Sequence, residues 1–371
     1  MKIVHCLFTM EIGGAQVLTV GLLNQMCIAN DVVLVIINNK WSDELLTQVD
    51  KRVKIYYIKR VKGDRAILPV IRLNILLFKL KPDIIHCHEP NMAKIIKVRR
   101  PKLLQTVHDV GISTQYYNLY DELIAISDAV YSDVSSRWNK AIKRIYNGIP
   151  ITEFKRRSNY ILNNGKPIKL VQISRLVHEK KGQDILIQAM HIIVYEYGFC
   201  HFHLDIIGDG ESFDFLARLI KELGLTDNVK LLGEKSRTWI MCELCSYHIL
   251  VQPSRYEGFG LTIIEGFAAG LPVLSSNIDG PKEIISDMSA GFLFESGDVN
   301  SCVAELFKIA ALYSDGKVEQ FLEETIPLIE VKYSMQACAG SYLTEYKTVV
   351  NKQMGAPAAQ QPRNPVGIST K

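Results

Sequence analysis

No apolar run in the chain approaches the eighteen or so residues that a membrane-spanning helix requires, and the conspicuous VVLVII at 32–37 is only strand-sized. The opening MKIVHCLFTMEIGG turns polar at Glu11, too early for a secretory leader, and reads as a first buried strand. No Gly-x-Gly-x-x-Gly follows that strand and no acid closes the second one, VVLVIINNK, which disfavours a dinucleotide site. There is no internal repeat. Basic segments carry no interleaved row of aromatics, so nucleic acid is disfavoured as a partner. The eight cysteines are scattered, mostly in apolar contexts, an expectation of reduced, buried thiols in a cytoplasmic protein. Cys242 and Cys245 form a lone C-x-x-C on a helix-like segment, expected to pack in the core. HCHEP at 86–90 holds two histidines, but the preceding PDII makes it the end of a strand and not a zinc site.

At 371 residues the chain exceeds what one hydrophobic core serves, so two domains are expected. Residues 1–160 carry 24 Lys and Arg against 14 Asp and Glu, a net charge of +10, while the rest carries −6. That asymmetry turns the first half toward something anionic. Short apolar runs at 2–8, 32–37, 54–58, 83–88, 103–108, 122–127 and 143–149 alternate with amphipathic segments. A second alternating series follows from 168 to 296. Both predict mainly parallel, doubly wound α/β sheets, hence two Rossmann-like domains facing a cleft. The expected boundaries are 1–158 and 166–334, with a linker within 154–167. A helix is expected over 335–350, and a tail at 351–371 lacks the large apolar residues to fold.

Ligands of doubly wound sheets sit at the carboxyl ends of strands, and the candidate motifs all fall at such junctions. Gly13 and Gly14 open the first helix and would let backbone approach an anion, although a tight structural turn looks the same. His108 closes the strand LLQTVH, where it could contact a sugar oxygen; a lone histidine is more often structural. In SRLVHEKKGQD, Arg175 follows a strand directly and two lysines precede Gly182. A planar fork and a point charge suit a diphosphate, the alternative being an exposed basic loop. Gly208, in IIGDGE, would let the chain pass close to a base or ribose. In SRYEGFGLTIIEG, Glu257 lies on a loop and Glu265 about one turn into the following helix, roughly 6 Å along its axis at 1.5 Å per residue. Gly258, Phe259 and Gly260 form the strand-to-helix loop between them, their amides and the helix dipole aimed into the cleft. Paired carboxylates also occur in glycosidases. Here the basic clamp favours a nucleotide-sugar, its hydroxyls accepted by the two acids.

These segments, with DIIHCHEP, IAISD and IYNGIP in the first half, resemble the family four retaining glycosyltransferases of GT-B fold over about residues 1–350. The resemblance implies that Glu265 holds the nucleotide ribose and Glu257 the donor sugar. It implies also that Arg175 and Lys181 grip the diphosphate, that Phe259, Gly260 and Leu261 offer backbone contacts, and that Gly13 and Gly14 close over the phosphates. His108 would sit beside the transferred sugar. Most relatives carry a single lysine before the glycine, so Lys180 is an alternative to Lys181. The implied reaction retains anomeric configuration by same-face attack, uses no cofactor beyond the nucleoside diphosphate sugar, and, with no Asp-x-Asp present, no metal. The final helix would cross back onto domain one. Domain one would bind a saccharide or lipid-linked acceptor, and the basic, apolar stretch 58–81 would touch an anionic membrane at the inner face of the cytoplasmic membrane. Capsule, lipopolysaccharide or exopolysaccharide assembly is the setting implied. The rival readings are a nucleotide-sugar epimerase of the same shape and a non-catalytic nucleotide-sugar binding protein.

Overall fold

The computed structural model describes residues 1–61, 66–162 and 167–353. The first half forms a parallel sheet of β1 (Lys2–Leu7), β2 (Asp31–Asn38), β3 (Lys54–Arg60), β4 (Ile84–Cys87), β5 (Lys102–Val107), β6 (Glu122–Ala125) and β7 (Lys143–Arg144), ordered β3-β2-β1-β4-β5-β6-β7. The second half repeats the design with β8 (Ile168–Ile173), β9 (Phe202–Ile207), β10 (Val229–Leu231), β11 (Ile249–Gln252), β12 (Val273–Ser276) and β13 (Gly291–Phe294), ordered β10-β9-β8-β11-β12-β13. Strand β2 is buried from Val32 to Asn38, which is why it reads as an unbroken apolar run: helices cover both faces of such sheets. The order reverses beside β1 in one sheet and beside β8 in the other. The loops after these strands carry Gly13, Gly14 and Arg175 to the crevice where ligands bind.

Alternation along β1 divides the core. Ile3 and Leu7 face a layer made by the helix Gly14–Met26 and the last helix, Met335–Gln353. Val4 and Cys6 face a cluster that continues into the second domain. The last helix belongs to the first domain by packing: Met335, Cys338, Ala339, Tyr342 and Tyr346 are all buried in its core. The Tyr342 hydroxyl lies 2.9 Å from Thr106 Oγ1, and that of Tyr346 lies 2.5 Å from His86 Nδ1. Burying each ring contributes on the order of 2 kcal/mol, and the hydroxyls are not left unpaired.

Three details differ from the sequence reading. The strand expected over 143–149 ends at Arg144, because Ile149 leaves the sheet and exchanges hydrogen bonds with Tyr333 O and Met335 N at the crossover. Cys200 and Cys242 are exposed and Cys245 is half-buried; Cys242 lies on the helix Arg237–Glu243, which has no fully buried residue. The last helix runs to Gln353, three residues beyond the expected end at 350; the remainder of the proposed tail lies outside the described residues. Segment 154–162 is docked on the second domain, with Lys155 N donating to Met241 O and Arg157 N to Ala269 O, both at 2.9 Å.

Candidate active site

A cleft of about 860 Å³ lies between the carboxyl ends of the two sheets. It is lined from the first domain by Gly13, Gly14 and His108, and from the second by Arg175, Lys181, Gly208, Glu257, Phe259, Gly260 and Leu261. Residues read from separate motifs thus share one wall-to-wall space. Gly14 reaches across to Leu261, whose Cδ1 would stand 3.7 Å from a Cβ there. The helix Leu261–Ala268 begins at Gly260, whose φ of 105° is a left-handed conformation that other residues resist. Its first amides, at Leu261 and Thr262, have no intrahelical acceptor and face an anion's natural position.

Four ion pairs set the electrostatics. Lys181 pairs with Glu257 inside the cleft. Lys180 points instead to Asp109 of the first domain, Nζ to Oδ2 3.1 Å, so the two adjacent lysines have separate surroundings. Arg237 pairs with Glu265, whose side chain is only 6% exposed. Arg255 holds Asp184 through two bonds of 2.7–2.8 Å and fixes the loop behind Glu257. Arg175 is exposed and makes no ion pair or side-chain hydrogen bond among the described residues. Its backbone is fixed by the buried Gln183, which donates to Arg175 O at 3.0 Å. Gln172 does the same for Lys181 O, also at 3.0 Å. Gly182 permits the turn: φ is 66°, and a Cβ would lie 1.9 Å from Pro253 O.

The carboxylates therefore do not stand alike. Glu257 lines the cleft, whereas Glu265 lies beneath its wall with one oxygen engaged by Arg237. Phe259 is 2% exposed, its ring against Tyr146 and Tyr333, so the residue can offer the cleft little beyond backbone. At Gly208 a Cβ would meet Ser174 O at 1.9 Å, giving this glycine a packing role whatever it contacts.

Behind His108 the first domain holds a stack of histidines. His108 Nε2 is 3.0 Å from His88 Nδ1, and His88 Nε2 is 3.2 Å from His5 Nδ1. His86 stacks on His88 with ring centroids 4.5 Å apart, its two nitrogens occupied by Thr106 and Tyr346. Three nitrogens, one each from His5, His86 and His88, lie within 4.8 Å of one another, but both His86 nitrogens are taken by Thr106 and Tyr346 and both His88 nitrogens by His108 and His5. Burial lowers the pKa of His108 to about 4 and that of His5 to about 3, and pushes His86 and His88 well below the usual value. All four are neutral at pH 7.

Sequence reasoning missed several cleft residues. Arg237 lines the cleft and neutralises Glu265; its signal was Ser236, an N-cap whose Oγ accepts from Trp239 N at 3.2 Å and starts a helix there. Two further contacts join the domains. Ser127 Oγ donates to Gly258 O at 2.7 Å, and Asp128 N donates to the Glu283 carboxylate at 2.8–2.9 Å, placing an anion on a helix N-terminus. Such pairs span well over a hundred residues and leave no local pattern.

The family model for glycosyl transferases group 1 matches residues 153–324, and that for glycosyltransferase family 4 matches 12–153. An uncharacterized glycosyltransferase of Methanocaldococcus jannaschii is 30% identical over 240 residues, 55% of this chain and 60% of that protein. The lipopolysaccharide core biosynthesis glycosyltransferase LpsE of Rhizobium meliloti is 24% identical over 317 residues, 84% of this chain and 89% of that one. Several curated relatives are matched over only 57–65% of their own length. Among solved structures, HepE of Anabaena in complex with UDP and glucose superposes with a TM-score of 0.77 at 20% identity, covering 94% of this chain and all of that one. That likeness concerns the fold, two Rossmann-like domains of GT-B arrangement.

Proposed function

Since the chain belongs to the glycosyl transferases group 1 family and has the GT-B fold, we propose that it moves a sugar from a nucleoside diphosphate sugar to a saccharide or lipid-linked acceptor. The observation that carries this reading is the convergence of Arg175, Lys181, the Leu261 helix N-terminus and Glu257 on one cleft between two sheets. A departing diphosphate gathers negative charge as the glycosidic bond breaks. A free guanidinium and unpaired helix amides on the cleft wall stabilise that charge. The Lys181 ammonium, paired with Glu257 beforehand, turns to the phosphate as Glu257 takes up sugar hydroxyls. Glu265, held by Arg237, accepts from the ribose with its other oxygen. His108 faces the transferred sugar. Retention follows from same-face attack, with the leaving phosphate taking the acceptor's proton, and the clamp works as a set of fixed charges with no metal called upon. UDP is the favoured nucleotide, by likeness to HepE in complex with UDP.

A thermal-shift screen of UDP-, GDP- and ADP-sugars tests the reading. At least one donor should stabilise the fold, by RT ln(1 + [L]/Kd); stabilisation by none of them, with nucleic acid effective instead, overturns it. Glu265→Ala should weaken donor binding and Arg175→Ala should chiefly lower turnover. Incubation with donor alone excludes the epimerase alternative if no epimer forms.

The acceptor side of the proposal rests on the helix Ile67–Leu80. Only Leu73 and Leu77 are buried, while Ile67, Leu68, Ile71, Ile75 and Phe78 are exposed, Ile67 and Phe78 each at 71%. Arg72 and Lys79 on this helix, and Lys81 at its end, are exposed too. An apolar stripe edged with cations fits an anionic lipid surface, in keeping with an acceptor carried on lipid and with assembly of a cell-surface polysaccharide. No helix among the described residues is long and apolar enough to cross a membrane. Flotation with vesicles of phosphatidylglycerol and phosphatidylcholine should carry the protein up, and phosphatidylcholine alone should not. Failure on both sinks this part of the proposal.

A further inference from the structure

The row His108–His88–His5 runs from the cleft into a dry core, and the fate of its protons determines what the cleft is shown. All three rings are neutral, so each hydrogen-bonded link holds a single proton and each ring carries only one. The protons therefore all point the same way along the row. If they point inward, His108 gives its Nε2 proton to His88 and His88 gives its own to His5. His5 must then keep a proton on Nε2, which is fully buried and has no partner among the described residues. If they point outward, His5 donates from Nδ1 to His88 Nε2 and His88 donates from Nδ1 to His108 Nε2. Only an unfilled lone pair is then left at His5 Nε2. An orphaned N–H in a buried site is the costlier of the two and the rarer in proteins.

Thr19 does not reverse this ordering. Its hydroxyl donates to Ala15 O at 2.7 Å, so it could serve His88 Nε2 only as an acceptor, and at 3.5 Å it competes poorly with His5 at 3.2 Å. The other groups against the row leave the rings neutral as well. Tyr342 and Tyr346 have their pKa raised by burial, as do Cys6 and Cys87, and Glu89 is raised to about 8. Asp109, engaged by Lys180, raises the His108 pKa, but burial outweighs it.

We infer that His88 is a positioning residue for His108: it locks the ring in the Nδ1–H tautomer and so presents a neutral hydrogen-bond donor to the cleft. His108 Nδ1 makes no hydrogen bond among the described residues, and the ring lines the cleft. A neutral donor there suits an oxygen acceptor on the ligand, a sugar hydroxyl or a phosphate oxygen. It rejects a group that can only donate. This inference deepens the donor-site reading and rests on it for the identity of the ligand, but the tautomer itself does not depend on that reading.

The test is long-range 1H–15N correlation of the histidine side chains in the full chain at pH 7.5, with UDP titration by calorimetry on the same samples. In the wild-type protein, His108 Nδ1 should resonate as the protonated nitrogen and Nε2 as the bare one. His88→Gln, whose amide can still donate to His108 Nε2, should keep that pattern. His88→Phe should let the proton move to Nε2, the tautomer a free imidazole prefers. A wild-type His108 carrying its proton on Nε2 overturns the inference, and so does a His88→Phe protein that retains Nδ1–H. Should His88→Phe fail to fold, the wild-type and His88→Gln spectra still decide. Absence of UDP binding in the wild type would count against the donor-site reading and leave the tautomer result standing.

Discussion

Acidification from pH 7 to pH 5 should cost this protein much of its folding free energy, and the structure allows the size to be worked out. His5, His86, His88 and His108 are held neutral by burial, and burial likewise lowers the pKa of His248 to about 4, with Arg157 and Lys169 adding to it. His248 Nδ1 also accepts from Lys169 N at 3.0 Å, which a protonated ring could not do. Each native pKa lies below the unfolded value of 6.5, so between pH 6.5 and 4 the unfolded chain binds more protons and stability falls as acid is added. Protonating one histidine in the unfolded state between pH 7 and pH 5 is worth about 2 kcal/mol, and five give on the order of 10 kcal/mol. Glu89 works in the opposite sense. Burial raises its pKa to about 8, so the native state gains protons first and recovers about 3 kcal/mol over the same interval. The net loss of about 7 kcal/mol is comparable to the whole stability of an ordinary domain. Urea denaturation followed by the fluorescence of Trp41, Trp138 and Trp239 measures it, and His5→Leu should flatten the acid limb by about 2 kcal/mol. A difference below about 2 kcal/mol between pH 7 and pH 5 would refute the reasoning.

Substitutions of three kinds probe the cleft. Gly182→Ala meets Pro253 O and a left-handed φ at once, and should destabilise by about 2–3 kcal/mol in a denaturant melt; a loss under 1 kcal/mol contradicts the close approach. Arg237→Met leaves the Glu265 carboxylate buried without its partner and should cost about 3 kcal/mol. The double variant Arg237→Met with Glu265→Gln should recover more than half of that, and additive losses would show that the pair is not coupled. Lys181→Met should lower turnover at least ten-fold while Lys180→Met, which removes only the Asp109 pair, changes it less than three-fold; the reverse order would exchange their roles.

Much of the architecture was legible because parallel sheets buried on both faces write unbroken apolar runs, as in VVLVII, and because strand–helix junctions need glycines, as at Gly260 and Gly182. The exceptions show where that legibility stops. KRIYNGI has the composition of a strand, yet the chain abandons the sheet after Arg144 because Ile149 finds its partners at the crossover beside Tyr333. Cys242 sits among apolar neighbours in sequence but on a helix that lies at the surface. Neither outcome is encoded within ten residues of the site where it occurs.

The same division holds for the cleft. Residue types and their spacing along single loops were enough to put Arg175, Lys181 and Glu257 at the carboxyl ends of strands, since chemistry at those positions depends on local backbone alone. Tertiary structure decided which lysine faces inward, because Asp109 of the other domain draws Lys180 away. It decided that Glu265 lies under the wall in the grip of Arg237. It also lined up three histidines from β1 and the ends of β4 and β5 into one hydrogen-bonded row. Charge, burial and proton position are properties of neighbours, and neighbours more than seventy residues apart exist only once the chain has folded.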